Sequence, residues 1–166
     1  MVQKIIDTLA TTIARIEETA YPSAVILPNF QRSLQLDQYS CGAKSLYSIF
    51  RYYNKRCTPR SVEEALRTDE DGTSVSDIKR VIKHYNLKYR TTRNMKSAID
   101  NGNPVLISLY DGEHYSVIYG YSKNHVFIMN PSLDFTRDGV GSLRCAVNKD
   151  RFRKAWDKWG LEIYDK

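Results

Sequence analysis

Apolar residues in the first half of the chain recur at spacings of three and four, the period of an α-helix with one buried face. Ile5, Leu9, Ile13 and Ile16 predict an amphipathic helix of about four turns within residues 1–20. We expect this apolar stripe to pack on the body of the protein. The alternative is a helix that docks on a membrane surface or on a partner, and the mixed sign of its charges disfavours a basic membrane-binding helix.

A short strand and four further helices are predicted before residue 103. The strand covers residues 24–27. The first of these helices has a buried stripe of Leu46, Ile49, Phe50 and Tyr53. Two serines are the predicted N-caps of the next two helices, because each is followed three positions later by an acidic residue. The first predicted helix begins at Cys41 or Gly42, and the second runs from Ser61 to Arg67. The third begins after Ser74, and the fourth begins at Met95 and is ended by Gly102.

The second half of the chain is rich in valine, isoleucine, tyrosine and phenylalanine, which favour strands. Strands are predicted over 105–110, 114–121 and 126–130, joined by tight turns, and a last helix from Asn148 to Trp159 ends at Gly160. Helices followed by an antiparallel sheet define an α+β fold. We expect an N-terminal helical extension over residues 1–23 and one globular domain over residues 24–166.

Composition limits the kind of protein. In 166 residues, 42% are hydrophobic and 27% charged, as in ordinary globular domains. No apolar run approaches the ~18 residues that span a bilayer, so we expect no integral membrane segment. Charged residues within 1–20 exclude an export signal, and a cytoplasmic location is expected. Three cysteines without close spacing and three scattered histidines indicate neither a disulfide framework nor a metal site, and no cofactor is expected.

The net charge of +6 gives little reason to expect a nucleic-acid partner. Lysine and arginine are spread along the chain, whereas nucleic-acid interfaces concentrate them on one face. One of the denser stretches, residues 54–60, is interpreted as a solvated helix end. The expected partner is therefore a peptide or protein substrate, and the sequence leaves the oligomeric state open.

Cys41 is the cysteine best placed for chemistry, since it lies where a loop meets a helix. The partial positive charge of a helix N-terminus favours a thiolate, so we expect the pKa of this thiol to lie below its ordinary value. By contrast, Cys57 and Cys145 have no feature that marks them for chemistry. A lone cysteine before a helix is more often a small buried residue, so this position alone does not establish a nucleophile.

His114 and Asn130 are brought together by the local topology. His114 opens a strand directly after a glycine turn, and the next hairpin folds the following strand back along it. The position opposite His114 falls within a residue or two of Asn130, close enough for a hydrogen bond. An imidazole can take the proton of a thiol, and a third group can hold the ring in the right tautomer. Taken singly, both residues are more commonly structural.

Gln35 lies six residues before Cys41 on the loop that leads into the helix. Its amide and the backbone N–H of Cys41 would together form an oxyanion hole, which stabilises the charge that develops on a carbonyl oxygen under attack. A loop glutamine alone carries no such implication. The joint pattern of Gln35, Cys41, His114 and Asn130 favours catalysis over four unrelated structural roles.

Several segments also resemble the bacteriocin-processing, double-glycine leader peptidases, family thirty-nine of the papain-like cysteine peptidases. The glutamine-to-cysteine box QLDQYSCGAKSL is the most distinctive of them, and together they cover nearly everything after residue 24. The similar segments are residues 35–46, 72–78, 104–109 with 114–121 and 127–131, and 150–156.

The resemblance implies a papain-like fold, with Cys41 as nucleophile, His114 as base and then acid, and Gln35 in the oxyanion hole. It also implies leader-peptide processing. A stand-alone form is expected, because the sequence shows no transmembrane segment and no Walker-type glycine-rich loop. Two positions depart from the family pattern: position 130 is usually aspartate but here is asparagine, as in other papain-like enzymes, and Ser40 stands where an aspartate is common. A neutral partner stabilises an imidazolium less than a carboxylate does.

The leading hypothesis is a thiol-dependent amide hydrolase, a cysteine peptidase with a Cys-His-Asn triad. Two alternatives remain open at this point. The same residues could act on a side-chain amide of another protein, as a deamidase or acyl transferase does. The domain could also be an inactive papain-like module that binds peptides.

Overall fold

The computed structural model describes residues 1–132 and 144–165. Its α+β composition agrees with the sequence-based prediction. In chain order the elements are α1 (Val2–Glu18), β1 (Val25–Ile26), α2 (Cys41–Tyr52), α3 (Pro59–Leu66), α4 (Val75–His84), β2 (Lys88–Thr91), α5 (Met95–Asp100), β3 (Val105–Leu109), β4 (His114–Tyr121), β5 (His125–Met129), β6 (Ala146–Asn148), α6 (Lys149–Ala155) and β7 (Trp156–Tyr164).

One antiparallel sheet organises the molecule. Six strands lie in the order β2-β7-β3-β4-β5-β6, and β1 pairs with the end of β4. Every residue of β3 is buried, and β4 and β5 are buried at nearly every position, because the sheet is covered on both faces. Helix α2 packs on β4. This contact brings the start of α2 close to the start of β4.

The N-caps were predicted correctly for α4 but not for α3. Ser74 accepts a hydrogen bond from the backbone N–H of Asp77, as expected. Helix α3 begins two residues earlier than predicted, with Thr58 as N-cap and Pro59 at its first position. Thr58 and Ser61 form a reciprocal capping box, so Ser61 occupies the third helical position and not the cap.

The predicted final helix is wrong beyond residue 155. Helix α6 has Asn148 as its N-cap, as predicted, but ends at Ala155, and the chain continues as β7 between β2 and β3. A Cβ added at Gly160 would lie 2.8 Å from a Val105 methyl group, so this glycine allows β7 to approach β3 and does not end a helix. Strand β2 was also not predicted. The pairing of β2 with β7 explains why both strands were missed, because local sequence patterns do not reveal pairing between distant segments.

Helix α1 forms as predicted, but its orientation is the reverse of the predicted one. The apolar stripe faces solvent, with Leu9 59% and Ile16 67% exposed. The buried residues are small or polar: Asp7, Ala10, Thr11 and Ala14.

Hydrogen bonds made by Asp7 and Thr11 explain this orientation. The Asp7 carboxylate accepts from the backbone N–H of Leu34 at 2.9 Å and from the Ser33 hydroxyl at 3.2 Å. The Thr11 hydroxyl accepts from the backbone N–H of Arg32 at 3.0 Å. These bonds satisfy buried donors that would otherwise be unpaired, so the polar face of α1 is the one that packs. The hydrophobic pattern alone predicted the opposite face.

Within residues 1–132 and 144–165, no helix has the length and apolarity needed to cross a membrane.

Candidate active site

Cys41 is the first residue of α2, and the loop before it is shaped by one carboxylate. Asp37 accepts hydrogen bonds from the backbone N–H groups of Tyr39 and Ser40 at 2.9 and 2.7 Å, and from the Ser40 hydroxyl at 2.8 Å. This Asx-type turn makes Ser40 the N-cap and directs the chain into the helix. The thiol is therefore held at a helix N-terminus, as predicted.

The expected lowering of the Cys41 pKa is wrong in direction. Burial of the thiol raises its pKa, and this effect exceeds the opposing hydrogen bonds from the backbone of Tyr115, Gly42 and Cys41 itself. Desolvation of the buried sulfur penalises the thiolate more than these backbone hydrogen bonds favour it. The structure therefore describes a thiol that is protonated at neutral pH, and deprotonation requires a base.

His114 is positioned by the turn between β3 and β4. Tyr110, Asp111 and Gly112 have positive φ angles of 58°, 58° and 90°, in the left-handed region that favours glycine. The Asp157 carboxylate holds this turn by accepting from the backbone N–H groups of Asp111 and Gly112 at 2.8 and 3.0 Å. Sequence reasoning missed Asp157, because it falls in the segment that was predicted as helix.

The structure brings His114 and Asn130 together. Nε2 of His114 lies 2.7 Å from Oδ1 of Asn130, and both side chains are buried. The backbone N–H of Ser132 donates to the same Oδ1 at 2.9 Å, which identifies this atom as the amide oxygen. Because an amide oxygen only accepts, Nε2 carries the proton and Nδ1 has the lone pair. Nδ1 is then the basic nitrogen of the ring.

The thiol lies on the side of α2 that faces β4. The backbone N–H of Tyr115, the residue after His114, donates toward the sulfur of Cys41. The neighbouring Gly42 packs so closely that a Cβ there would lie 3.3 Å from the Tyr115 ring. The start of α2 therefore contacts the start of β4, where His114 lies.

Arg32 contacts the backbone of Asn130. This residue was not identified from the sequence. Its guanidinium is almost fully buried, and Nη2 donates to the backbone carbonyl of Asn130 at 3.4 Å. The backbone N–H of Gln35 donates to the carbonyl of the next residue, Pro131, at 2.8 Å. The loop that carries Gln35 is thus attached to the strand end that carries Asn130. A lone arginine in a loop gave no signal of this role.

Gln35 is buried, and its amide is turned within its own loop. Nε2 donates to the backbone carbonyl of Asp37 at 2.7 Å, four residues before Cys41. Oε1 is buried, and among the described residues it has no hydrogen-bond partner. The role of Gln35 in an oxyanion hole remains a prediction.

A groove of about 370 Å³ opens beside Tyr115. Its walls come from the end of β3, the β3–β4 turn, the start of α4 and the start of β7. The lining residues are Val75, Ser108, Asp111, Gly112, Tyr115, Asp157 and Trp159. A groove next to the strand that starts at His114 could hold the chain of a peptide.

The buried imidazole makes stability depend on pH. Burial lowers the pKa of His114 from 6.5 to about 4, and the hydrogen bond to Asn130 opposes this only in part. Below pH 6.5 the unfolded chain binds a proton that the folded protein excludes, so the free energy of unfolding falls as the pH drops toward 4. The difference between the pKa of His114 in the unfolded chain, 6.5, and in the folded protein, about 4, limits the decrease in the free energy of unfolding to roughly 3 kcal/mol.

Urea unfolding of the wild type and of His114→Gln at neutral and acidic pH measures this loss. We expect a smaller loss in His114→Gln than in the wild type, and an unchanged loss in the control His84→Gln, because His84 is exposed. An equal acid-induced loss in all three proteins would assign the pH dependence to other groups.

Replacing Asn130 with aspartate is expected to activate the thiol. A carboxylate in place of the amide would raise the pKa of His114, because a negative charge stabilises the imidazolium. The imidazolium would in turn stabilise the thiolate of Cys41. We expect Asn130→Asp to speed alkylation of Cys41 by iodoacetamide at neutral pH by about tenfold or more.

Peptide mapping by mass spectrometry would assign the alkylated cysteine. The control Asn124→Asp adds the same charge at an exposed position between β4 and β5 and should leave the rate unchanged. Equal rates in both variants and the wild type would exclude electrostatic control of the thiol through residue 130.

A thiol at the start of a helix, packed on a sheet that carries a histidine–asparagine pair, is the arrangement of a papain-like cysteine peptidase. The comparison with known families gives the same class. The peptidase C39 family matches residues 29–166, and the chain belongs to this family of cysteine peptidases. Helix α1 lies before the matched residues.

The sequence identity to individual relatives is low. The chain is 25% identical over 137 residues to the pediocin PA-1 transport/processing ATP-binding protein PedD of Pediococcus acidilactici, covering 78% of this chain and 18% of PedD. The chain thus corresponds to less than a fifth of the length of that protein.

Solved structures show the same fold. The peptidase domain of Streptococcus ComA, a bifunctional ABC transporter involved in quorum sensing, superimposes with a TM-score of 0.67 at 21% identity, over 83% of this chain and all of that one. A double-glycine motif protease from an AMS/PCAT transporter, in complex with the leader peptide, superimposes with a TM-score of 0.65 at 19% identity. The match covers 80% of this chain and 89% of that protease chain.

Proposed function

We propose that this protein hydrolyses a peptide bond through a Cys41-His114-Asn130 triad, with Gln35 in the oxyanion hole. The observation that carries the proposal is the buried hydrogen bond of 2.7 Å between His114 and Asn130. It puts the proton on Nε2 and the lone pair on Nδ1, the ring nitrogen that can accept a proton from the thiol.

The reaction begins from a neutral pair. Because burial disfavours both the thiolate and the imidazolium, proton transfer from Cys41 to His114 is expected to accompany attack on the substrate carbonyl and not to precede it. The sulfur forms a bond to the carbonyl carbon, and the imidazolium then protonates the leaving amine. Water attacks the acyl-enzyme with His114 as base and releases the acid product and the thiol.

The oxyanion that forms in each step needs two donors. The backbone N–H of Cys41 is one, and the amide of Gln35 is the other in this proposal. The amide would have to exchange its bond to the Asp37 carbonyl for one to the oxyanion. Loss of one such donor typically lowers the rate about 10²–10³-fold.

Leader peptides that end in two glycines are the proposed substrate class. The solved relative that superimposes with a TM-score of 0.65 is a double-glycine motif protease bound to its leader peptide. The groove beside Tyr115 could hold the substrate chain, and Asp157 fixes one edge of it by holding the β3–β4 turn. Glycine has no side chain, so two of them would let the peptide backbone approach a buried thiol closely.

Mass spectrometry of a synthetic leader peptide with a short mature segment tests this proposal. We expect two products whose summed mass equals the substrate plus one water, with the cut after the second glycine. A matched peptide with valines in place of the two glycines should remain intact.

The same experiment separates the two alternatives. Conversion of a side-chain amide to an acid in an uncut peptide would indicate a deamidase. An intact peptide that nevertheless binds, together with a Cys41 that alkylates no faster than Cys57 at any pH, would indicate an inactive binding module.

A further inference from the structure

Helix α1 presents a continuous apolar stripe to solvent. Of nine large hydrophobic side chains that are exposed within the described residues, six lie between residues 1 and 16. On α1 their spacing of three to four places them along one side of the helix over about 21 Å. They are Met1, Val2, Ile5, Leu9, Ile13 and Ile16. Soluble proteins rarely expose an apolar surface of this kind without a partner for it.

The acidic residues of α1 are turned away from this surface. Asp7 is buried against the loop at Ser33 and Leu34. Glu17 accepts from the backbone N–H of Cys145 at 2.7 Å, and Glu18 accepts from the hydroxyl of Tyr119 at 2.8 Å. All three carboxylates of α1 therefore accept hydrogen bonds from the rest of the protein, and Asp7 lines a groove together with Lys4 and Arg15.

The charged residues that α1 leaves exposed are both basic. Lys4 and Arg15 lie on the same flank of the stripe and line a shared groove with Arg51 of α2. Arg51 also lines the adjoining groove, together with Lys55 and Arg56. Lys55 pairs with Asp165 at 3.1 Å, which compensates part of this charge. The basic flank of the apolar stripe thus extends from α1 to the end of α2.

We propose that α1 docks on the surface of a membrane that contains anionic lipids. The stripe would enter the boundary between headgroups and acyl chains, and Lys4, Arg15 and Arg51 would contact lipid phosphates. A helix with an apolar face and basic neighbours lies in the plane of such an interface, and each basic residue near an anionic surface adds to the affinity. The proposal is independent of the catalytic one, since none of the residues it uses belongs to the proposed Cys41-His114-Asn130 triad or is Gln35.

A second copy of the chain fits the stripe less well. Antiparallel pairing of two α1 helices about Leu9 would place Lys4 of each copy next to Arg15 of the other, on the same flank. Like charges brought near each other disfavour that pairing. A lipid surface has the opposite charge and accepts the same flank without repulsion.

Co-sedimentation of the full chain with vesicles tests the proposal. We expect binding to phosphatidylcholine vesicles that contain phosphatidylglycerol, and much weaker binding to phosphatidylcholine alone. Ile5→Gln with Leu9→Gln should lower the bound fraction about tenfold, because both side chains are exposed and lie at the centre of the stripe. Lys4→Gln with Arg15→Gln should remove the preference for the anionic vesicles and the sensitivity of binding to salt.

Two controls match these variants. Val25→Gln removes an exposed apolar side chain outside α1, and Lys83→Gln with Lys88→Gln removes two exposed positive charges from α4 and β2. Neither should change vesicle binding, and circular dichroism checks that α1 stays helical in the stripe variants.

Two outcomes would overturn the proposal. One is that the wild type stays in the supernatant with anionic vesicles at every lipid concentration. The other is a dimer, seen by light scattering, that Ile5→Gln with Leu9→Gln dissociates while vesicle binding is absent, which would assign the stripe to a second copy of the chain.

Discussion

Replacing Cys41 with alanine is expected to lower peptide hydrolysis by at least about 10⁴-fold. The covalent route disappears with the sulfur, and the residual rate would come only from substrate binding and the remaining hydrogen-bond donors. Removing the sulfur leaves only a small gap at the edge of α2, so we expect the folded structure to persist. The measurement is turnover of the double-glycine peptide under saturating conditions, followed by mass spectrometry.

Cys57→Ala is the matched control for this change. Cys57 is half-buried between α2 and α3 and is not one of the proposed catalytic residues, so its loss should leave turnover within about twofold of wild type. Alkylation of the wild type should remove activity in step with modification of Cys41. If Cys41→Ala retained activity while Cys57→Ala lost it, the nucleophile would be misassigned.

Replacing His114 with alanine is expected to lower turnover by at least about 10³-fold. The thiol of Cys41 has a pKa raised by burial, and without the imidazole the base proposed to remove its proton is lost. The residual activity of His114→Ala should rise steadily with pH, because hydroxide then generates the thiolate. The wild type should instead give a bell-shaped profile in kcat/KM.

The pH profile separates catalysis from stability. His114 is buried, so alanine there also leaves a cavity, and His114→Gln keeps more of the volume while removing the base. Both variants should lose turnover alike, whereas His84→Ala should behave as wild type, because His84 is exposed on α4. A bell-shaped profile that survives in His114→Gln would show that another group is the base.

The centre of the sheet and the site could be predicted because their signals are local. Turn residues separate β-branched segments at β3, β4 and β5, and hairpin connectivity then places His114 near Asn130 without any long-range information. The start of α2 was also found from its periodicity. These features supplied three of the proposed catalytic residues, Cys41, His114 and Asn130.

What could not be predicted depends on contacts distant in sequence. Residues 156–164 form strand β7 because they pair with β2 on one side and β3 on the other. The local sequence of β7 does not reveal these pairings. The pKa of Cys41 depends on how deeply the packed fold buries the sulfur, while the sequence shows only its place at a helix start. Arg32 and Asp157 act on backbone groups of Asn130 and of the β3–β4 turn, which no motif encodes.

The polar anchors of α1 also have a consequence for the order of folding. Glu17 pairs with a backbone group 128 residues later in the chain, and Glu18 with a side chain 101 residues later. Contacts over such separations form late, because the intervening chain must first be ordered. The C-terminal end of helix α1 is therefore synthesised long before these partners and docks only after they have folded. Until Tyr119 and Cys145 have been synthesised and folded, Glu17 and Glu18 lack their partners, and only the nearer contacts of Asp7 and Thr11 with residues 32–34 hold α1 in its orientation.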